Sequence, residues 1–462
     1  MLRSGALTAF GLAQQTLDRV AALDPALHAF ITVTADRAMA DAAAADAAFA
    51  RGEDKGPLHG IPYGLKDIID TRGIRTTCHS KLLVDHVPQA DAHCQTLLAR
   101  GGGVLVGKLA THEFAMGGPS FDLPFPPARN PWNLEHTPGG SSSGAGAAVA
   151  AGLLRTAIGS DTGGSIRLPA GYCGVVGLKP TYGLVSRRGA WPLSYTLDHV
   201  GPLSWSVEDC ALTMQVIAGH DPADPASAAA GRHDFAAGLD RGVAGLRIGY
   251  PRQFHAGVGE AAAETVAALD AAAGRLAQLG AIVEDVRLPD YELFNAASRV
   301  IISAECFAVH EKDLRERPLD YGRLGHERLV LGAFVTGADY VQAMRVRREL
   351  AIVLNREVLQ RHDALIMAST LTPAPRFADI SSTAPTVWPI RMSPFNLTGN
   401  PALSVPNGFS ASGLPLSLQI VGRLFDEATV LRIGRAHEMA LGSDRRPPLS
   451  AVDAPEGEAA IA

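Results

Sequence analysis

The chain has 462 residues, a net charge of −6 at neutral pH, 47% apolar residues and 19% charged residues. It is long enough to bury a large core, and its composition is that of a folding chain, not a low-complexity one. Lys and Arg are scattered, which excludes the basic face of a nucleic-acid binder and the polybasic anchor of a membrane-surface protein.

In chain order, Phe10, Ala13, Leu17 and Val20 fall at helical spacing, with Asp24-Pro25 as the expected stop. The alanine-rich stretch 33–51 predicts a second helix. A helix over Ala92–Arg100 is followed by Gly101-Gly102-Gly103 and the apolar run Val104-Leu105-Val106, a helix, a turn and a buried strand. Further on, Leu246, Ile248 and Tyr250 alternate as a strand. Val266, Leu269, Leu276 and Leu279 mark a helix, Gly280 sits at its C-cap, and Ile282-Val283 open the next strand. Strand, helix, strand with short connections implies a parallel pair with a right-handed crossover. Ala364–Met367 and Leu416–Val421 read as further core strands. The expected class is α/β, a large mixed and mainly parallel sheet flanked by helices on both faces, as one domain over 1–462. Its parts are N-terminal helices over about 5–50, a core over about 55–210, and a remainder over about 240–445 that completes the sheet and the pocket.

Cys78, Cys94, Cys173, Cys210 and Cys306 are odd in number and contain no CxxC, a pattern of reduced thiols in a cytoplasmic protein. The N-terminus lacks the apolar core of a signal peptide, and no apolar run reaches the length of a membrane span.

The densest chemistry lies between Gly139 and Ser165. Two serines, Ser141 and Ser165, each follow a Gly-Gly pair, and Lys66 lies upstream in Gly60-Ile61-Pro62-Tyr63-Gly64-Leu65-Lys66-Asp67. Missing side chains at Gly163 and Gly164 let successive N–H groups point into one small volume, a nest for an oxyanion. Read alone, the same residues also fit a Gly-Gly turn with an N-cap serine. Ser141 likewise fits either a non-proline cis peptide or a plain Gly/Ser loop. A lysine is ordinarily a surface residue; to act as a base, Lys66 must be desolvated enough to lower its pKa by roughly 3 units, about 4 kcal/mol.

Together these segments resemble the amidase signature family. The likeness runs through Gly60-Ile61-Pro62, Lys66-Asp67, Glu113–Gly117, Asn130-Pro131-Trp132, Gly139–Ser142, Asp161–Arg167, Pro169-Ala170, Gly177–Thr181, Leu197–Pro202 and Phe395–Pro401. It departs at His79, where the family often has glycine. The resemblance implies a Ser–cisSer–Lys triad with Ser165 as nucleophile, Ser141 as the bridging serine and Lys66 as base. It implies an oxyanion hole from the N–H groups of Thr162, Gly163, Gly164 and Ser165. Ser142 is expected to support Lys66 with a second hydrogen bond, and Asp161 and Arg167 to fix the loop as an ion pair. The apolar, proline-rich segment 118–127 is read as a pocket wall, with Met116, Gly117, Phe121, Trp191 and Tyr195 as candidate substrate contacts.

The expected function is hydrolysis of C–N bonds in amides, and of carbamates (urethanes) or aryl anilides, through an acyl-enzyme, with no cofactor and no metal. The expected partner is that small substrate alone, without nucleic acid or membrane; a homodimer stays open. The alternative within the family is the glutaminase/transamidation subunit of a tRNA-dependent amidotransferase, which passes ammonia to a tRNA-binding partner. Gly140–Gly144 also matches G-x-S-x-G, but Asn133–Pro138 before it makes a poor strand for a nucleophile elbow on Ser142. Val149 replaces the third glycine of a dinucleotide fingerprint starting at Gly144, and there is no H-E-x-x-H.

Overall fold

A computed structural model describes residues 1–231, 233–256, 261–380, 388–442 and 446–449. Among the described residues eleven strands form one sheet: β1 (Phe30–Val33), β2 (Pro62–Lys66), β3 (Val104–Leu109), β4 (Thr156–Asp161), β5 (Val176–Lys179), β6 (His199–Ser204), β7 (Arg247–Tyr250), β8 (Ile282–Asp285), β9 (Ala364–Ala368), β10 (Ala402–Phe409) and β11 (Pro415–Gly422). Their order is β1-β3-β2-β4-β6-β5-β10-β11-β9-β7-β8.

The sheet is mixed, as expected, but not mainly parallel. β3-β2-β4 and β9-β7-β8 are parallel blocks, while the other six of ten pairings are antiparallel. The reason is local. β10 and β11 are joined by a tight turn at Ser410–Gly413, which forces an antiparallel hairpin. β6 enters between β4 and β5 against the direction of both. The parallel β7–helix–β8 unit forms as the sequence indicates, with Gly280 at φ +93° behind the helix Ala263–Gln278.

The central strands are buried residue by residue, so both sheet faces must be covered. On one face Ala157 and Leu203 pack with Ala145, Ala147, Ala148 and Val149 of the helix Ser143–Ala150. On the other, Leu65, Ile158 and Val200 pack with Val207, Cys210 and Met214 of the helix Val207–Ile217. Each fully buried aliphatic side chain contributes about 1.5–3 kcal/mol. The helix Ser143–Ala150 consists almost wholly of small residues because the chain passes so close: a Cβ on Gly144 would meet the Ala29 carbonyl and the Ala110 backbone.

At the N-terminus the first helix runs over Ala9–Leu27, through Pro25. Asp24 closes it, its side chain accepting from the Ala29 N–H at 2.7 Å while its carbonyl accepts from His28. The second helix is Ala35–Ala50. Among the described residues no helix is long and apolar enough to cross a membrane, and all five cysteines are free and buried.

Candidate active site

Lys66 is the last residue of β2, an entirely buried strand held between β3 and β4. Its side chain is completely inaccessible. The Nζ bonds Ser141 Oγ at 2.7 Å and Ser160 Oγ at 2.9 Å. Burial without a carboxylate in contact lowers the ammonium pKa from 10.5 to about 7, against the weaker opposing pull of Asp198 and Asp161.

Ser141 follows a cis Gly140-Ser141 peptide. Its carbonyl accepts from the His112 N–H at 3.1 Å, and the His112 ring lies against Gly140 where any Cβ would sit. Burial, with Lys66 adding, lowers His112 to about 3, so its imidazole is neutral. Ser165 is brought beside this segment by its own carbonyl, which accepts from the Ser142 N–H at 3.1 Å. It sits between β4 and the helix Arg167–Cys173, half-buried, and among the described residues its hydroxyl has no hydrogen-bond partner.

Ser142 does not reach Lys66. Its Oγ turns to the β4 backbone, donating to the Ser160 carbonyl at 3.2 Å and accepting from the Ser160 N–H at 3.3 Å. Gly159, which has no Cβ, makes room for it: a Cβ there would lie 2.6 Å from that oxygen. Ser160 therefore supplies the second hydroxyl on Lys66, a residue the sequence reading passed over.

The loop 161–167 is organised by Asp161. Its Oδ1 accepts from the Gly164 N–H at 2.8 Å and its Oδ2 from the Ile166 N–H at 3.1 Å. Gly164 is thus removed from the expected oxyanion hole, because its only N–H is already bonded. Among the described residues the N–H groups of Thr162, Gly163 and Ser165 have no partner. Gly164 has φ +132°, and a Cβ would meet Met392 Sδ at 2.7 Å.

Arg167 grips Asp161 through Nε (2.9 Å) and Nη2 (2.8 Å), and both side chains are fully buried. Its other N–H groups reach the Met392 carbonyl, Gln419 Oε1 and Asn396 Oδ1. Asn396 Nδ2 returns to the Asp161 carbonyl at 2.9 Å. Burial alone would raise the Asp161 carboxyl; the Arg167 guanidinium outweighs it and holds the group far below the usual range. Asp198 anchors the other end, accepting from Thr162 Oγ1 at 2.5 Å and from the Leu193 and Ser194 N–H groups.

The candidate substrate residues divide. Met116 and Gly117 lie on the strap after His112, where Gly117 (φ +90°) faces Leu324. Phe121 is 64% exposed and meets Phe377 edge-on at 5.6 Å. Trp191 instead packs on Phe114 and His310 in the core, and Tyr195 stacks with Arg187 at the surface, so neither contact reaches the serine–lysine cluster. Trp388 lies nearer, its ring parallel to His112 with centroids 6.5 Å apart. At His79, where the resemblance leads one to expect glycine, the backbone is left-handed (φ +59°) and the imidazole bonds the Phe125 carbonyl at 3.0 Å. Among the described residues no cluster of His, Cys, Asp and Glu could hold a metal ion.

The comparisons with known proteins place the chain in a class, the hydrolases of C–N bonds other than peptide bonds. The Amidase family model matches residues 12–431, and the chain belongs to that family. It is 40% identical to the A subunit of the glutamyl-tRNA(Gln) amidotransferase of Moorella thermoacetica, covering 94% of this chain and 93% of that one. Its fold superposes with a TM-score of 0.89, at 36% identity, on a protein of a vestigial complex linked to the origins of an s-triazine catabolic enzyme; the match covers 94% of this chain and 96% of the other. The native peptide amidase of Stenotrophomonas maltophilia superposes with a TM-score of 0.83 at 32% identity, covering 97% and 96%.

Proposed function

We propose that Lys66, Ser141 and Ser165 form a proton relay that hydrolyses amides through an acyl-enzyme. The observation that carries this reading is the buried, carboxylate-free Lys66 amine on the Ser141 hydroxyl. Neutral Lys66 takes the proton of Ser141 as Ser141 takes that of Ser165, and Ser165 Oγ bonds the substrate carbonyl carbon. The tetrahedral oxyanion is received by the Thr162, Gly163 and Ser165 N–H groups, each worth about 3 kcal/mol in such a role. The proton returns through Ser141 to the leaving nitrogen, the C–N bond breaks, and water repeats the cycle on the ester. Asp161, Arg167, Asn396 and Asp198 hold the loop that presents these donors, and Ser160 positions Lys66.

Of the finer readings, a glutamine-amide hydrolase working within a larger complex has the better support, because the likeness to the amidotransferase's A subunit spans nearly the whole of both chains. The second reading, a free hydrolase of anilides or carbamates, is favoured by one observation, the apolar strap with Phe121 exposed beside Phe377. Ammonia release from L-glutamine, against amine release from anilide and carbamate chromogens, separates them. Turnover of the chromogens by the purified chain with no glutaminase activity, alone or beside a partner, would reverse the order.

A further inference from the structure

Glu113 lies outside the relay, yet it is buried (2% exposed) one residue from His112. Its Oε1 accepts from Ser80 Oγ at 2.6 Å, and its Oε2 accepts from the Gly322 N–H at 3.0 Å, 209 residues along the chain. Gly325 passes so close that a Cβ there would strike Oε2. Beside it, Phe114 packs on Tyr321 with centroids 5.9 Å apart, and the Tyr321 hydroxyl bonds His310 Nδ1 at 3.0 Å. The short helix Arg323–Leu329 that follows Gly322 lays Leu324 against Gly117 and Gly118 of the strap. A small cleft lined by His112, Glu113, Gly118, Pro119, Gly139 and Ser143 joins this strap to the loop that carries Ser141.

We propose that Glu113 is a positioning residue, a clamp on the strap 113–118: its Oε2 fastens the head of the helix 323–329 through the Gly322 N–H, its Oε1 is held in place by Ser80, and the docked helix fixes one wall of the substrate pocket. Both oxygens are used, and both donors come from segments far apart in sequence. An isosteric amide keeps the geometry, its oxygen accepting from Gly322 and its NH2 donating to Ser80 Oγ. Truncation leaves the Gly322 N–H without its partner and opens a void between the two segments.

Two readouts test this. Hydrogen exchange at residues 321–329 reads the clamp itself. Labelling of Ser165 with a small and with a bulky fluorophosphonate reads the pocket wall, and this readout rests on Ser165 being the nucleophile. In Glu113→Ala the 321–329 amides are expected to exchange at least tenfold faster, while the amides of β2 and β4 keep their rates. The bulky-to-small labelling ratio is expected to rise at least fivefold. Glu113→Gln should restore both readouts, and Gly325→Ala, which displaces the carboxylate from the other side, should reproduce the alanine effect. Unchanged exchange at 321–329, a glutamine variant as altered as the alanine one, or an unchanged labelling ratio would overturn the clamp. If wild-type Ser165 takes neither probe, the nucleophile assignment fails, and the exchange arm still decides the clamp.

Discussion

Two lysines on neighbouring parallel strands, Lys66 of β2 and Lys108 of β3, are equally shut away from water, and they are held in opposite ways. Lys108 has a carboxylate, Asp67, at 3.3 Å and the Thr76 hydroxyl at 2.5 Å. Asp67 in turn accepts from the Thr77 N–H and hydroxyl. Lys66 has two serine hydroxyls and no carboxylate in contact. Burial pushes both ammonium groups toward the neutral form, and on Lys108 the contacting Asp67 carboxylate opposes that push, whereas on Lys66 the opposing carboxylates, Asp198 and Asp161, are not in contact. Desolvation favours a neutral amine most where no counter-charge is in contact, and in this sheet the two lysines differ in which neighbour sits opposite each Nζ.

The largest effect expected from breaking this contrast is on turnover. Lys66→Met and Ser165→Ala should each lower kcat/KM by at least about 10³-fold, as for removal of a nucleophile or its base. Thermal melting of Lys66→Met at pH 7 should be no lower than wild type. The folded-state pKa near 7 against 10.5 unfolded corresponds to a cost on the order of 5 kcal/mol, which the substitution relieves. By linkage that cost is complete below pH 7 and fades as pH rises from 7 to 10.5, so the stability advantage of Lys66→Met should shrink over that window. A clear loss of stability in Lys66→Met would place a charged, well-compensated lysine at the site.

Lys108→Met should behave in the opposite sense. It leaves Asp67 buried and unpaired, a loss of about 3–5 kcal/mol in denaturant unfolding. The double variant Asp67→Asn/Lys108→Met should recover a large part of that loss. Arg167→Met belongs to the same class, since it strands the Asp161 carboxylate.

The smallest effect sharpens the Lys66 side. kcat/KM should rise with pH through about 7 as Lys66 sheds its proton. Ser160→Ala removes an acceptor that favours the charged amine, so the acidic limb should move to lower pH, with roughly a tenfold loss of rate from poorer positioning. Ser142→Ala should leave that limb in place, because its hydroxyl bonds the backbone of residue 160 and not the lysine.

Much of this was legible in the sequence where the rules are local. The β7–helix–β8 unit, β9 and β11 carry apolar periodicity and a glycine cap, and they form as read. The strand that ends at Lys66 does not advertise itself, because its terminal Lys-Asp pair looks like surface until β3 and β4 close over it. β6 holds Gly201-Pro202 and β10 holds Pro406, residues that interrupt a strand pattern, and with these strands hidden the antiparallel centre of the sheet was hidden too. The serines, the lysine and the Asp161–Arg167 pair were nameable from motifs. Which serine bonds Lys66 was not, since Ser142 and Ser160 lie 18 residues apart and only the approach of Gly159 decides between them. Trp191 and Tyr195 stand out as aromatic residues near the motifs, and packing spends both elsewhere. Asn396 could have been singled out, because a polar residue inside the apolar run Phe395–Leu397 needs a buried partner, and Arg167 is that partner.

The chain contains six lysines, so a titration of lysine Nζ resonances by heteronuclear NMR, with Lys66→Met to assign the signal, addresses the central claim directly. A resonance absent from Lys66→Met and titrating near pH 7 in the wild type is the expected result. If the resonance lost on substitution titrates near 10, about the value of an ordinary solvated lysine, Lys66 is charged at working pH and cannot begin the relay.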